Sequence, residues 1–141
     1  MLNIQIETDP LLEGLDDSIS VKILTHALHS EKIESGDILI IFGNKKLLRD
    51  LKKEFFKINK ATDVIAFRLN GYNDKIIEGE IYICLPVAKE NAELYEEPFE
   101  KEIARLIIHG GLHLIGYDDS TRNEKKEMRK LEDKYLKELK Y

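Results

Sequence analysis

The chain has 141 residues, of which 43% are hydrophobic and 35% charged, which predicts one soluble globular domain over residues 1–141. The net charge is −5, and the single cysteine, Cys84, excludes an internal disulfide framework and favours a reducing compartment. The amino terminus does not resemble a secretory signal, and no apolar run approaches the roughly 20 residues that span a bilayer. We therefore expect a cytoplasmic protein without membrane segments.

The first half of the chain predicts alternating strands and helices. LNIQIET (residues 2–8) alternates apolar and polar residues, as a half-buried strand does. Residues 16–18 can cap a helix that runs to about residue 30, and DILIIF (37–42) is a continuous apolar run typical of a central strand. The expected inner face of that helix consists of Ile19, Ile23, Leu24, Ala27 and Leu28.

A basic helix follows, with Asn44 as its predicted N-cap. Residues 45–60 carry seven cations and two anions, a net +5, whereas the remaining residues carry about −10. Such a strip can hold an anionic polymer, although a solvated helix face is an equally good interpretation. Its expected buried stripe consists of Leu47, Leu48, Leu51 and Phe55.

The second half predicts two more strands, followed by helices. The strands are TDVIAFRL and EGEIYICL, joined by the turn signal GYND. Pro86 and Pro98 each begin a helix, and Thr121 with Glu124 forms a capping box for the last one. The inner face of that last helix is expected to contain Met128, Leu131, Tyr135 and Leu139. This order predicts one α/β (α+β) domain with a mixed four-stranded sheet packed by helices.

The stretch HGGLHLIGYDDS, residues 109–120, has the spacing of a metal site at the end of a helix. His109 and His113 are four residues apart, so both imidazoles can reach one point beside the helix. Gly116 can end the helix in a left-handed conformation and turn the chain back. Asp119 could then supply a third ligand, with Asp118 as the alternative, and a fourth position would stay open for water.

Two glycines between the histidines also need an explanation. Gly110 takes the place of the glutamate that acts as general base in metzincin proteases, which otherwise share this layout. Each glycine costs a helix interior about 1 kcal/mol relative to alanine. Close approach of a substrate and tight packing against another backbone are both consistent with the pair.

HGGLHLIGYDD closely resembles the YbeY family signature HGxLHLxGYDH. ATDVIAF, GEIYIC and EKKEMRKLEDKYL resemble further segments of that family in the same order, over roughly residues 40–140. The resemblance implies a single-strand-specific endoribonuclease with one divalent metal ion, generally zinc, bound by His109, His113 and Asp119. It also implies a role in ribosomal RNA maturation at the 16S 3′ end and in ribosome quality control. The implied partners are precursor ribosomal RNA and the small ribosomal subunit, without a nucleotide cofactor.

Two positions depart from the family pattern. Asp119 stands where the family usually has histidine, and its harder, anionic oxygen shifts metal preference toward Mn, Fe or Ni without excluding zinc. Phe56 stands where the family usually has arginine, and Lys57 is the neighbouring cation that could replace it. No residue stands out as general base, so metal-bound water, assisted by Glu102 or Lys57, is the expected catalyst.

Two other functions fit parts of this pattern. A metzincin-like metalloprotease would share the ligand layout but needs the missing glutamate. A non-enzymatic ribosome assembly factor would use the metal for structure, but structural zinc sites usually have four protein ligands.

Overall fold

In the computed structural model, which describes residues 1–59 and 62–141, an α+β domain is built around one sheet. In chain order, the elements of the described residues are β1 Leu2–Thr8, α1 Asp17–Ser30, β2 Ser35–Gly43, α2 Lys45–Phe56, β3 Val64–Arg68, β4 Ile76–Cys84, α3 Leu85–Leu94, α4 Phe99–Leu114 and α5 Arg122–Glu138. The order of elements and the mixed four-stranded sheet agree with the sequence prediction.

The sheet has the strand order β1-β2-β4-β3. β1 pairs with β2 and β2 with β4 in parallel, whereas β3 pairs with β4 antiparallel. The apolar run of β2 thus lies between two neighbours, as a continuous apolar strand favours. The antiparallel β3 forms the edge that lies beside α4, and this places the strand next to the histidine helix.

Alternate residues of β4 supply two separate apolar layers. Ile81 and Ile83 belong to the main core, which α1, α4 and α5 also fill. Tyr82 and Cys84 point to the opposite face, where Leu48 of α2 covers a smaller cluster. The basic helix α2 therefore lies on the other face of the sheet from the helix that carries the histidines.

Close packing explains the paired glycines of α4. A Cβ on Gly110 would lie 2.6 Å from Ile81 Cγ2, and a Cβ on Gly111 would lie 2.7 Å from Leu24 Cδ1. Both distances are shorter than any ordinary carbon contact. Gly110 therefore lets α4 approach the sheet and Gly111 lets it approach α1, which supports the packing interpretation over direct substrate contact.

We expect the two glycines to differ in their tolerance of alanine. Gly110→Ala should be less stable than Gly111→Ala by about 1 kcal/mol or more, within the usual cost of overpacking a core. The gain in helix propensity is common to both variants and cancels. The difference arises because Cγ2 of Ile81 is bonded directly to its branched Cβ and cannot easily move aside. Leu24 Cδ1, in contrast, is a side-chain end that can move. Urea unfolding of both metal-free variants measures this, and equal stabilities would contradict it.

Two predicted core positions are wrong. Ile19 is 41% exposed and Phe55 is 57% exposed, and Leu48 is the fully buried residue of α2. Leu47 and Leu51 are only partly buried against the small apolar cluster, so the buried stripe of α2 is narrower than its periodicity predicts. The helix ends at Phe56, and Lys57 adopts the left-handed conformation at φ 58° as its C-cap. Lys60, the last cation of the predicted basic strip, lies outside the described residues.

Candidate metal centre

Three potential ligand atoms converge at the carboxyl end of α4. His109 Nε2 and His113 Nε2 lie 3.0 Å apart, and Asp119 Oδ2 lies 3.3 Å from the first and 3.5 Å from the second. Ligands of a tetrahedral ion with bonds of about 2.0–2.1 Å lie about 3.3–3.4 Å from one another. The three atoms therefore have the spacing of three corners of a tetrahedral metal site.

The hydrogen bonds of the two rings leave both Nε2 atoms free to accept. His113 Nδ1 donates to the carbonyl oxygen of Tyr117 at 2.9 Å, and His109 Nδ1 donates to Glu132 Oε2 at 2.7 Å. In neutral imidazoles the Nε2 atoms then carry lone pairs. Two lone pairs and a carboxylate oxygen thus face one another without a donor between them, an arrangement that a cation stabilises.

Glu132 of α5 is a functional candidate that the sequence analysis missed. Its side chain is 5% exposed, and its other oxygen accepts from Arg105 Nη1 at 3.3 Å. Asp133 also pairs with Arg105, at 3.0 Å. A carboxylate behind a histidine ligand fixes the ring and its tautomer. The sequence does contain a signal for Glu132: it is a charged residue inside the predicted apolar stripe, four residues after Met128 and three before Tyr135.

The environment of His109 favours a positive charge at this point. Burial lowers the pKa of His109, but the hydrogen bond and charge of Glu132, together with the charge of Asp119, outweigh burial and leave the pKa raised. Protons therefore compete with any metal ion for Nε2. The same negative charges that raise the pKa also attract a divalent cation.

The loop after α4 brings Asp119 to the histidines. Gly116 has φ +105°, as the predicted helix-ending turn requires. Tyr117 OH donates to Glu31 at 2.6 Å, and Tyr135 donates to the same carboxylate, which ties the loop to α1 and α5. Asp118 Oδ1 accepts from the backbone N–H of Asp119 at 2.9 Å. Asp118 thus serves the loop, and Asp119 is the aspartate that lies with the histidines.

Arg68, at the end of β3, holds the carboxyl end of α4. Its Nη1 donates to the carbonyl oxygen of Leu114 at 2.8 Å, and its Nη2 donates to the carbonyls of Gly71 and Asp74 at 2.9 and 3.0 Å. These bonds satisfy a carbonyl that the helix end leaves without an intrahelical partner. The turn at residues 71–74 is thereby fixed beside the carboxyl end of α4.

Two clefts meet at Asp119. The first has a volume of about 620 Å³, and the second about 670 Å³; Val64 also borders both. His113 faces the first cleft and His109 the second. A linear substrate could therefore pass from one cleft to the other across the three converging atoms.

The basic helix contributes less to this cleft than its charge predicts. Among the described residues of α2, Lys52 and Phe56 line the first cleft. Lys45 pairs with Glu90, and Lys46 pairs with Asp50 at 2.7 Å. Only one turn of α2 thus borders this cleft, and Lys57, the proposed substitute for arginine, is not among the residues lining it.

Glu102 lies in the second cleft with His109 and Asp119. Asn91 Nδ2 donates to Glu102 Oε2 at 3.3 Å, and Arg105 Nε lies 3.8 Å from Oε1. Burial raises the pKa of Glu102, which is the direction that suits a general acid or base near neutral pH. Its role as a catalytic residue stays a prediction.

The family model described as Endoribonuclease YbeY matches residues 5–140 of this chain. The chain belongs to the YbeY family. A YbeY endoribonuclease from Chloroherpeton thalassium is 39% identical over 118 residues, which cover 84% of this chain and 82% of that protein. One from Brevibacillus brevis is 31% identical, with 99% and 98% covered.

The fold also matches a solved structure. A solution structure of a Thermotoga maritima protein superimposes with a TM-score of 0.63 at 30% identity, over 98% of this chain and 88% of that one. The overall fold of the described residues is thus shared with a related chain. Among the described residues, no helix is both long and apolar enough to cross a membrane.

Proposed function

We propose that this YbeY family member is a metal-dependent hydrolase that cleaves single-stranded RNA. The observation that carries the proposal is the convergence of His109 Nε2, His113 Nε2 and Asp119 Oδ2 within 3.0–3.5 Å of one another. Family membership supports endoribonuclease activity, and the converging acceptors support a cation as part of the catalyst.

We propose a single zinc ion as the metal. Two imidazole nitrogens suit zinc, and spacings near 3.3–3.4 Å suit its short bonds of about 2.0–2.1 Å in a tetrahedral site. Asp119 supplies a hard oxygen that also suits manganese or iron. Three protein ligands leave one position for water, which distinguishes a catalytic zinc site from a structural one.

The residues around the site have separable tasks. When bound, the ion would polarise a phosphoryl oxygen and acidify a water molecule. Glu132 and the Tyr117 carbonyl orient the two imidazoles through their Nδ1 atoms. Lys52 lies in the wall of the first cleft, where its ammonium can pair with a backbone phosphate. Glu102 can exchange a proton with a bound water or leaving oxygen if the substrate occupies the second cleft.

We propose precursor ribosomal RNA as the substrate, the small ribosomal subunit as the partner, and the cytoplasm as the location. The resemblance of HGGLHLIGYDD to the family signature supports the substrate and the partner. Lys52 in the first cleft supports an electrostatic contact with phosphate, whereas the second cleft is lined by both acidic and basic side chains. We infer that the ribosomal context, rather than base-specific contacts, selects the site of cleavage.

A direct comparison of substrates tests this function against a protease. Metal-loaded protein is incubated with a single-stranded RNA, the same sequence as a duplex, and an unfolded protein. We expect cleavage of the single strand alone, because Gly110 leaves the position of the protease glutamate without a base. Cleavage of the unfolded protein but not of RNA would support a protease, and cleavage of neither would support an assembly factor.

Lys52 should contact a phosphate, whereas its neighbour Lys53 should not. Lys52→Gln is expected to weaken single-stranded RNA binding and to reduce the slope of log affinity against log salt by about 0.7, the value for one phosphate contact. Lys53→Gln is the matched control, since Lys53 is exposed and does not line the first cleft. Binding titrations at several salt concentrations measure both slopes. The same slope for Lys52→Gln as for the parent would show that Lys52 does not contact a phosphate and only faces solvent.

A further inference from the structure

An exposed aromatic ring stands in the wall of the cleft beside the candidate metal centre. Phe56 is the last residue of α2 and lines the first cleft together with Lys52, His113 and Asp119. Phe56 is 45% exposed. We propose that Phe56 stacks a base of the RNA strand next to the phosphate held at the metal centre. This inference rests on the proposed function and assigns a binding mode to its substrate.

The surroundings of Phe56 fit a nucleotide better than a purely apolar ligand. Lys52 Nζ lies 4.7 Å from the centroid of the ring, so a cation and an aromatic face are presented together. Sites for single-stranded nucleic acid combine these two features, since the cation meets the phosphate and the ring meets the base. The flexible stem of Lys52 lets the ammonium move to a phosphate while a base occupies the ring.

The ring packs against an aromatic side chain of the sheet. Phe67 of β3 lies 6.2 Å from Phe56 between centroids, with an interplanar angle of 25°. Phe67 in turn contacts Tyr82 of β4 at 5.8 Å. A supported ring has little freedom to lose when a base binds, which favours stacking.

Phe55 is a neighbouring ring that is also exposed but lies at a different position relative to the cleft. Phe55 is 57% exposed and also contacts Phe67, at 5.1 Å between centroids. However, it does not line the cleft that contains His113 and Asp119. The two neighbours share a packing partner but differ in their access to the strand, so Phe55 is a matched control for Phe56.

Stacking on Phe56 also gives a physical reason for a single-strand preference. A base in a duplex is already stacked and paired, and presenting it to a side chain would require unstacking. A base in a single strand can be splayed out and placed on an aromatic ring without breaking a pair. Phe56 would therefore select strands whose base beside the reacting phosphate is free.

The test combines protein variants with abasic RNA. A short single-stranded RNA is prepared with each nucleoside near the cleavage site replaced in turn by an abasic residue. The kcat/KM of metal-loaded parent, Phe56→Ala, Phe56→Leu, Phe56→Tyr and Phe55→Ala is measured on every substrate. For the parent we expect one abasic position to lower kcat/KM by about 5- to 150-fold, the range for loss of one stacked base.

The stacking contact predicts a specific pattern. Phe56→Ala and Phe56→Leu should lose a similar factor on intact RNA and show no further loss at that abasic position, because the two changes remove the same contact. Phe56→Leu keeps an apolar side chain against Phe67, so its loss is not a packing defect. Phe56→Tyr and Phe55→Ala should keep the abasic penalty of the parent.

Two results would overturn the inference, and they can be told apart. If Phe56→Ala and Phe56→Leu cleave RNA with the same abasic profile as the parent, no base stacks on this ring, while the endoribonuclease proposal stands. If the metal-loaded parent cleaves no RNA, both proposals fall together.

Discussion

Replacing Asp119 with alanine is expected to reduce metal affinity by more than about 100-fold, beyond the 10–100-fold range found for residues outside the ligand shell. The carboxylate oxygen lies 3.3 and 3.5 Å from the two histidine nitrogens, and its loss leaves two ligands. The fold should persist, because Asp119 is partly exposed and the apolar core lies elsewhere. Chelator competition measures the affinity, and circular dichroism checks the fold.

Asp118→Ala is the control for this prediction. Asp118 accepts from the backbone N–H of Asp119 and from Ser120, so its loss loosens the loop without removing a ligand. Asp119→His should retain metal, and its neutral nitrogen should make the bound water more acidic and favour zinc over manganese. Affinity equal to that of the parent in Asp119→Ala would show that Asp119 is not a ligand.

Glu132→Ala is the second change with a large expected effect, since it should impair both stability and metal binding. The side chains of Glu132 and Arg105 are 5% and 11% exposed. Removing one partner of a buried ion pair costs about 3–5 kcal/mol. Asp133 and Glu102 remain beside Arg105, which places this loss toward the lower end of that range. Metal affinity should fall about 10- to 100-fold, because His109 loses the acceptor that orients it.

Two variants separate these effects of Glu132. Glu132→Gln keeps the shape and one acceptor oxygen, so it should recover much of the stability but only part of the metal affinity. Asp133→Ala removes an exposed partner of Arg105 that does not contact His109, and its metal affinity should stay near that of the parent. Urea unfolding and chelator competition measure the two quantities. Parental metal affinity in Glu132→Ala would contradict the orienting role.

The local patterns of the sequence predicted much of this fold and part of the site. Alternation in LNIQIET and the capping box at Thr121 depend on neighbouring residues, and both are found in the structure. The spacing of His109, His113 and Gly116 is also local, since one helix and its end place all three. Such features can be predicted because no distant contact is needed to form them.

The features that sequence analysis missed depend on contacts between distant elements. Glu132 reaches His109 only because α5 packs beside α4, and its charge on an apolar stripe has no local explanation. The sequence does not show which of the seven cations in residues 45–60 reach the cleft, but in the structure Lys52 lines it, whereas Lys45 pairs with Glu90 of α3. Phe55 stays exposed, since Leu48 is the residue of α2 that the small apolar cluster buries fully, with Leu47 and Leu51 partly buried beside it.

Reloading metal-stripped protein with zinc in increments, while cleavage of a single-stranded RNA is followed, tests the metal-dependent endoribonuclease most directly. The arrangement of His109, His113 and Asp119 predicts that cleavage is absent from the stripped protein, rises in proportion to added ion, and levels off at one ion per chain. Full cleavage by protein that holds much less than one ion per chain would contradict this account.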